Sequence, residues 1–253
     1  MMQTSNASLY GKGIFTTIAI RDGEAFLWEK HWRRLTDNAV RVGIDLTEHT
    51  EQSTRDALDD AIATSGFADG RARITFSDES SSELWSNDVE RRTTLSIIVA
   101  ERRVVPEPFR LTVSPYPVNS RSPLAGVKSY NYLENILALG EAKARGFDEA
   151  VRVNELGSVT CAAMANIFWS KDGQLFTPSL TTGCLAGTTR EYVLENFACR
   201  EVAAEIDVLA EADAIFLTSA GIGVVAVAEF EGRSLVRAHH AITELLSAAR
   251  DAG

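Results

Sequence analysis

The stretch AGVKSYNYLENILA, residues 125–138, places a lysine among apolar and aromatic neighbours. The residues before it, YPVNSRSPLAG at 116–126, are rich in proline, serine and asparagine and predict an irregular connection. Apolar residues of helical spacing follow and predict a helix over 133–145. The other four lysines lie in turns or polar helix segments: Lys12, Lys30, Lys143 and Lys171. Lys128 is therefore the best candidate for chemistry that needs a primary amine, although a lysine that extends past apolar neighbours into water gives the same pattern.

The composition is that of an ordinary globular protein with an acidic surface. Its 253 residues are 45% hydrophobic and 24% charged, and the formal net charge is −10. This charge argues against nucleic acid or an anionic membrane as a partner, and no apolar run is long enough to span a bilayer. The N-terminus lacks a signal-peptide pattern, and three cysteines fit neither a disulfide framework nor a zinc site: Cys161, Cys184 and Cys199. We expect a cytoplasmic protein without a metal ion.

The patterns of hydrophobic residues predict two α+β domains. We expect a small N-terminal domain over 1–117, a linker over 118–126 and a larger domain over 127–253. The predicted helices lie at 29–43, 51–63, 133–145, 189–198 and 239–250. The predicted strands lie at 14–20, 71–77, 93–100, 109–115, 148–153, 164–170, 214–219 and 223–229, with a hairpin after the first and a short strand, LFTP, at 175–178.

Two short segments suggest an anion site. GCLAGTTR, residues 183–190, runs into a predicted helix, and free N–H groups at a helix N-terminus favour a phosphate. A simple helix cap at Thr188 or Thr189 explains the same residues. The turn TSAG, residues 218–221, offers a hydroxyl and backbone N–H groups. Arg33 and Arg34 lie on one turn of the first predicted helix and either bind an anion or form a solvated face.

Taken together, these segments resemble the fold-type IV pyridoxal-phosphate enzymes, the aminotransferase class IV family. The family pattern G-x-G-x-F-[ET]-T is similar to residues 11–17, and H-x-x-R-L is similar to residues 31–35. K-[ST]-x-N-Y-L-x-N-x-L is similar to residues 128–137. The segment GSVTCAAMANIF at 157–168 and the segment LAGTTR at 185–190 resemble two further patterns of the family.

The resemblance implies a fold, a cofactor and a set of site residues. The fold is α+β, with a small N-terminal α/β sandwich domain and a larger C-terminal β-barrel-like domain with flanking helices. The cofactor is pyridoxal 5'-phosphate, the substrate is a small amino compound, and the protein is a homodimer. Lys128 is the Schiff-base lysine and Cys161 faces the cofactor's pyridine nitrogen, while the phosphate is held by Arg34, Thr188, Thr189, Ser219 and Ala220.

Cys161 departs from the family pattern, which has a glutamate at this position. A carboxylate stabilises the protonated ring nitrogen, whereas a thiol is a weak donor and a weak acceptor. Glu155, in the predicted turn at 154–157, is too exposed to replace it. Either the enzyme works with a less electrophilic cofactor ring, or its activity is reduced, or its activity is lost.

The resemblance is compatible with three interpretations of the protein's function. Thr16-Thr17, the run ending at Trp169, and Ala220 are most similar to aminodeoxychorismate lyases, which release pyruvate and 4-aminobenzoate. An aminotransferase acting on an amino acid and a 2-oxo acid is the first alternative, and a cofactor-binding protein with reduced or lost activity is the second. Arg71 and Arg73 share one face of a predicted strand, where they bind a substrate carboxylate or lie on an exposed surface.

Overall fold

The structure, a computed structural model, describes residues 4–80, 91–235 and 241–248, and divides into two compact units. The first unit contains residues up to Arg103 together with Val127–Tyr132, and the second contains Val104–Gly126 and the residues from Leu133 onward. This division differs from the predicted linker at 118–126. Residues 104–126 group with the second unit, and a short segment after them returns to the first.

The first unit is a four-stranded sheet with two main helices. Its strands pair antiparallel in the order β2-β1-β3-β4. Its elements are α1 (Asn6–Tyr10), β1 (Gly13–Arg21), β2 (Glu24–Ala25), α2 (Trp28–Val42), α3 (Glu51–Ser65), β3 (Gly70–Asp78) and β4 (Thr93–Glu101).

Alternation along β1 gives its sheet two different faces. Ile14, Ile18 and Ile20 are buried in a core that they share with Leu35 of α2 and Leu58 of α3. Each such side chain contributes roughly 1.5–3 kcal/mol when it is fully buried. Phe15, Thr17 and Ala19, which alternate with them, therefore point to the opposite face, away from this core.

Residues 127–132, which we call the lysine segment, pair with the beginning of β1. The Phe15 N–H donates to the Lys128 carbonyl at 2.9 Å, and the Tyr130 N–H donates to the Gly13 carbonyl at 2.8 Å. A Cβ atom at Gly13 would lie 2.9 Å from the Tyr130 ring, so this close approach requires glycine. The lysine segment is thereby fixed to the first unit by backbone hydrogen bonds.

The second unit contains two five-stranded sheets, with the orders β10-β9-β8-β11-β12 and β14-β13-β5-β6-β7. Its largest core includes Val151, Ile167, Ile215 and Leu217, all fully buried. Its elements are β5 (Arg110–Val113), α4 (Leu133–Ala144), β6 (Glu149–Val153), β7 (Val159–Ala162), β8 (Asn166–Lys171), β9 (Gln174–Pro178), α5 (Thr188–Asn196), β10 (Cys199–Val202), α6 (Asp207–Ala210), β11 (Ala214–Ser219), β12 (Gly223–Ala226), β13 (Glu229–Phe230), β14 (Arg233–Ser234) and α7 (Ala241–Ala248).

Most predicted elements are present, with shifts of one to a few residues at their ends. The predicted strand over 223–229 is divided into β12 and β13. The short elements α1, β7, β10, α6 and β14 were not predicted. The ends of the predicted helix over 239–250 lie outside the described residues. None of the helices in the described ranges combines the length and apolarity needed to cross a membrane.

Candidate active site

Lys128 lies half-buried between two aromatic rings of the first unit. Its Nζ is 4.5 Å from the centroid of the Phe15 ring and 4.6 Å from that of the Tyr132 ring. It also donates a hydrogen bond of 3.2 Å to the Tyr132 hydroxyl. The two rings pack edge to face, with their centroids 5.1 Å apart. Cation–π contacts with the two rings hold the Lys128 ammonium group in one place and do not remove its charge.

A hydrogen-bonded group joins β1 to α2 beside this lysine. The Arg34 guanidinium donates to the Thr16 hydroxyl at 2.7 Å, and His31 Nδ1 lies 2.6 Å from the same oxygen. His31 is 1% exposed, and burial holds its pKa well below the usual value of 6.5. The positive charges of Arg34 and Lys128 lower the pKa of His31 further. The imidazole is therefore neutral at physiological pH.

Arg71 and Arg73 lie on the face of β3 that points away from the helices. The Arg73 guanidinium is 3.6 Å from the centroid of the Phe15 ring, and its Nε donates to the Thr75 hydroxyl at 3.3 Å. Burial lowers the pKa of Arg73, against a smaller opposing effect of two nearby tyrosines. The residues directly across from the two arginines carry no charge: Thr17, Ala19, Ile98 and Ala100.

In the described part of the chain, the Arg71 side chain forms no hydrogen bond or ion pair. Two half-buried guanidinium groups without a carboxylate across from them form a positive patch in a protein whose net charge is −10. Arginine forks match the geometry of carboxylates, so this face suits an anionic ligand.

In the second unit, α5 begins with an open N-terminus. Gly187 caps the helix without a side-chain hydrogen bond, and Thr188 and Thr189 in its first turn are buried. The Asn166 side chain donates to the Leu185 carbonyl at 2.8 Å and fixes the preceding loop. A Cβ atom at Gly187 would lie 1.9 Å from Asn166 Oδ1, so only glycine fits here. The helix start therefore presents backbone N–H groups and a partial positive charge.

The end of β11 lies beside the same asparagine. Thr218 pairs with Asn166 across the two strands, and directly opposite residues share one face of the sheet. The Thr218 hydroxyl is buried and has no hydrogen-bond partner among the residues that the structure describes. Ser219 and Ala220 follow at the turn, which is closed by a hydrogen bond from the Ile222 N–H to the Ser219 carbonyl. A buried hydroxyl of this kind is costly unless a ligand satisfies it.

The Cys161 thiol on β7 is a neutral group. Burial raises its pKa to about 11, although a contact with the Thr160 hydroxyl at 3.4 Å acts in the opposite direction. Cys161 pairs across the strands with Arg152, a buried cation. The Arg152 guanidinium donates to the carbonyls of Tyr116 and Pro117. Glu155 is exposed and accepts hydrogen bonds from the backbone and hydroxyl of Ser120, as expected of a turn residue.

The structure divides the predicted site residues between the two units. Lys128, Arg34, Arg71 and Arg73 belong to the first unit. The second unit contains the others: Cys161, Thr188, Thr189, Ser219 and Ala220. Four neighbours of the first group were not predicted, although all lie within the quoted family patterns: Phe15, Thr16, His31 and Tyr132.

Comparisons with known proteins match this chain to one family. The family model described as amino-transferase class IV matches residues 13–230. A putative branched-chain-amino-acid aminotransferase of Methanocaldococcus jannaschii is 30% identical over 89% of this chain and 81% of its own. The aminodeoxychorismate lyase of Bacillus subtilis is 26% identical over 88% of this chain and 79% of its own. A solved structure of a putative 4-amino-4-deoxychorismate lyase from Legionella pneumophila has a TM-score of 0.89 at 25% identity, covering 100% of this chain and 95% of that one.

Proposed function

The chain belongs to the aminotransferase class IV family of pyridoxal-phosphate enzymes, and we propose that its reaction is that of an aminodeoxychorismate lyase. This reaction releases pyruvate and leaves 4-aminobenzoate. The observation that carries the proposal is the run Ala165–Trp169, which resembles the lyase form of the family pattern and ends in a buried tryptophan stacked on Phe176. The similar lyase of B. subtilis and the similar putative lyase of L. pneumophila support it, since each match spans most of both chains.

The residues of the chain fit a cofactor that carries a phosphate. The buried Thr218 hydroxyl lacks a partner in the described residues, and Gly187, the N-cap residue of α5, makes no side-chain hydrogen bond to the helix. Both features suit a phosphate dianion, which accepts several hydrogen bonds and favours a helix N-terminus. We assign phosphate binding to five residues: Arg34, Thr188, Thr189, Ser219 and Ala220.

Lys128 supplies the amine that the chemistry needs. When bound, the cofactor withdraws electrons from the substrate and makes the hydrogen at its α-carbon acidic. We assign to the Lys128 amine both the attachment of the cofactor and the movement of that proton. Phe15 and Tyr132 restrict the position of the amine, since both rings contact it. This orientation lowers the entropy cost of proton transfer.

Arg71 and Arg73 are assigned to the carboxylate of the substrate. Arg73 is held in place by the Phe15 ring and the Thr75 hydroxyl, so it loses little conformational freedom on binding an anion. Arg71 is adjacent on the same face and adds a second fork. We assign Cys161 to the ring nitrogen of the cofactor, where its neutral thiol supplies no negative charge.

An amino transfer reaction is the second candidate, and one observation favours it. The M. jannaschii relative, named a putative branched-chain-amino-acid aminotransferase, is 30% identical over 89% of this chain. The same lysine and phosphate site would serve this reaction, because it also begins by removing the α-hydrogen.

An assay of the purified protein separates the candidates. Pyruvate release from aminodeoxychorismate, followed with a coupled lactate dehydrogenase, supports the lyase. Transfer of nitrogen from an amino acid to a 2-oxo acid, without pyruvate release, supports the aminotransferase and overturns the lyase assignment. Cofactor absorbance without either product would indicate binding without turnover.

The phosphate assignment predicts different effects for two neighbouring arginines. Arg34→Ala should weaken cofactor binding by about 10- to 150-fold, because losing a hydrogen bond to a charged group costs roughly 1.5–3 kcal/mol. Arg33→Ala should change it little, since Arg33 is exposed. Titration of the cofactor-free protein with pyridoxal 5'-phosphate measures both. Small and equal effects would show that the arginine pair is only a solvated helix face.

We also propose that the protein is a homodimer and that a second copy covers one side of α4. Leu133, Ile136 and Leu137 form an apolar stripe at helical spacing and are 67%, 52% and 53% exposed. The opposite side of α4 is buried within the second unit through Ala138 and Ala142. A two-fold axis would bring the stripe of each copy against the same surface of the other.

Ile136→Asp should convert the dimer into a monomer at micromolar concentration. Two-fold symmetry introduces the charge twice, and each burial of an isoleucine is worth roughly 1.5–3 kcal/mol. Size-exclusion chromatography with light scattering measures the mass. Leu156→Asp is the control, because Leu156 is 67% exposed in a turn outside the helix. A dimer that survives Ile136→Asp unchanged would exclude the stripe from the interface.

A further inference from the structure

A buried polar group connects the first strand of the first unit to its first long helix. Thr16 is 0% exposed and His31 is 1% exposed, although both carry polar atoms. Their side chains meet at 2.6 Å, and Arg34 reaches the same hydroxyl at 2.7 Å. His31 and Arg34 are three residues apart on α2 and therefore face the same strand.

The chemistry of the three groups fixes the direction of one hydrogen bond and permits a single direction along the whole group. A guanidinium can only donate, so the Thr16 oxygen accepts from Arg34. The buried imidazole is neutral, and one of its two nitrogens is an acceptor. The Thr16 hydroxyl hydrogen can then be donated to His31 Nδ1. With the imidazole proton on Nε2, the three groups form a chain in which Arg34 donates to Thr16 and Thr16 donates to His31.

Such a chain restrains a long and otherwise flexible side chain. A free arginine side chain loses up to about 2 kcal/mol of conformational entropy when it is immobilised. A hydrogen bond to a rigid acceptor restricts the side chain before a ligand binds, so less conformational entropy is lost on binding. Hydrogen bonds in series also strengthen one another. Thr16 is a rigid acceptor, because it is β-branched and lies in the middle of a paired strand.

We propose that Thr16 and His31 are positioning residues that hold the Arg34 guanidinium in the orientation that binds the cofactor phosphate. The inference rests on the proposed role of Arg34. Neither Thr16 nor His31 needs to contact the cofactor itself. Their effect should therefore depend on whether the ligand carries a phosphate, which a general effect on folding would not.

The test compares the affinities of the full-length, cofactor-free protein for pyridoxal 5'-phosphate and for pyridoxal, which lacks the phosphate. Thr16→Val keeps the shape of the side chain and removes the hydroxyl, and Thr16→Ser restores a hydroxyl. Thr54→Val is the matched control. Thr54 is also fully buried in the first unit, but its hydroxyl has no hydrogen-bond partner among the described residues.

Thr16→Val should lower the affinity for pyridoxal 5'-phosphate by about 10-fold and leave that for pyridoxal unchanged. Thr16→Ser should recover most of the loss, and Thr54→Val should alter neither affinity. Adding Thr16→Val to Arg34→Ala should cause little further loss, because the two residues act through one contact.

Two outcomes separate the failure of this inference from the failure of the proposed function. If Arg34→Ala lowers the preference for the phosphorylated ligand and Thr16→Val does not, the positioning role is wrong and the phosphate assignment stands. If Arg34→Ala leaves the preference unchanged, the phosphate assignment itself is wrong. Equal losses for both ligands in Thr16→Val would indicate a structural role only and would also overturn the inference.

Discussion

Lys128→Ala should abolish the covalent attachment of the cofactor and lower kcat/KM by at least about 10²- to 10⁴-fold, the usual contribution of one acid–base group. The rings of Phe15 and Tyr132 contact the amine, and neither side chain carries a primary amine that could replace it. Borohydride treatment of the wild-type protein followed by peptide mapping measures the attachment. The pyridoxyl mass should appear on the peptide that contains Lys128 and be missing from the variant.

Lys143→Ala is the control for this experiment. Lys143 lies in the last turn of α4, and alanine is a good helix former, so the variant should remain folded and active. A pyridoxyl mass on any other lysine of the wild-type protein would overturn the assignment of Lys128.

Cys161→Glu should accelerate exchange of the substrate α-hydrogen with deuterated solvent by about 10- to 150-fold. A carboxylate at this position would hold a proton on the cofactor's ring nitrogen, and a charge-assisted hydrogen bond is worth roughly 1.5–3 kcal/mol, or one to two factors of ten in rate. The wild-type thiol, with a pKa of about 11, supplies no such charge at neutral pH. Proton NMR of the substrate in D₂O measures the exchange.

Two further variants separate charge from size. Cys161→Ser stays neutral and small, and it should leave the exchange rate close to that of the wild type. Cys199→Glu adds the same charge at another half-buried cysteine of the second unit and should not accelerate exchange. A folded Cys161→Glu protein with unchanged exchange and an unchanged cofactor spectrum would refute the placement of Cys161 at the ring nitrogen.

The fold could be predicted from the sequence wherever a helix or strand was long enough to repeat its hydrophobic pattern several times. α2 and α3 each have 15 residues, and β1, β3 and β4 each have nine, so each shows several repeats of its pattern. β7 and β10 have four residues each and show too few repeats to be distinguished from loops. α1 was missed for a different reason, since its capping box uses Ser8 where glutamate or glutamine is usual.

The candidate site was predictable in its residues but not in its contacts. The scarcity of lysines singles out Lys128, and the glycines around Leu185 indicate the start of α5. The hydrogen bonds of Thr16 depend on a strand and a helix that pack together across 15 residues of sequence, which no local pattern specifies. The pairing of the lysine segment with Gly13 likewise spans more than one hundred residues and is decided by tertiary structure.

Because of that pairing, the first unit consists of two segments that are separated in the amino-acid sequence. A fragment that ends at Arg103 would contain every strand of the four-stranded sheet but would lack the segment that pairs with Ile14 at Ser129. β2 reaches only the far end of β1, at Ile20 and Arg21, so the edge of β1 near Gly13 would be left without hydrogen bonds. Exposed strand edges join other chains, and such a fragment should aggregate when expressed alone. Separate expression or recombination of the two units therefore has to carry residues 127–132 with the first, through an engineered connection.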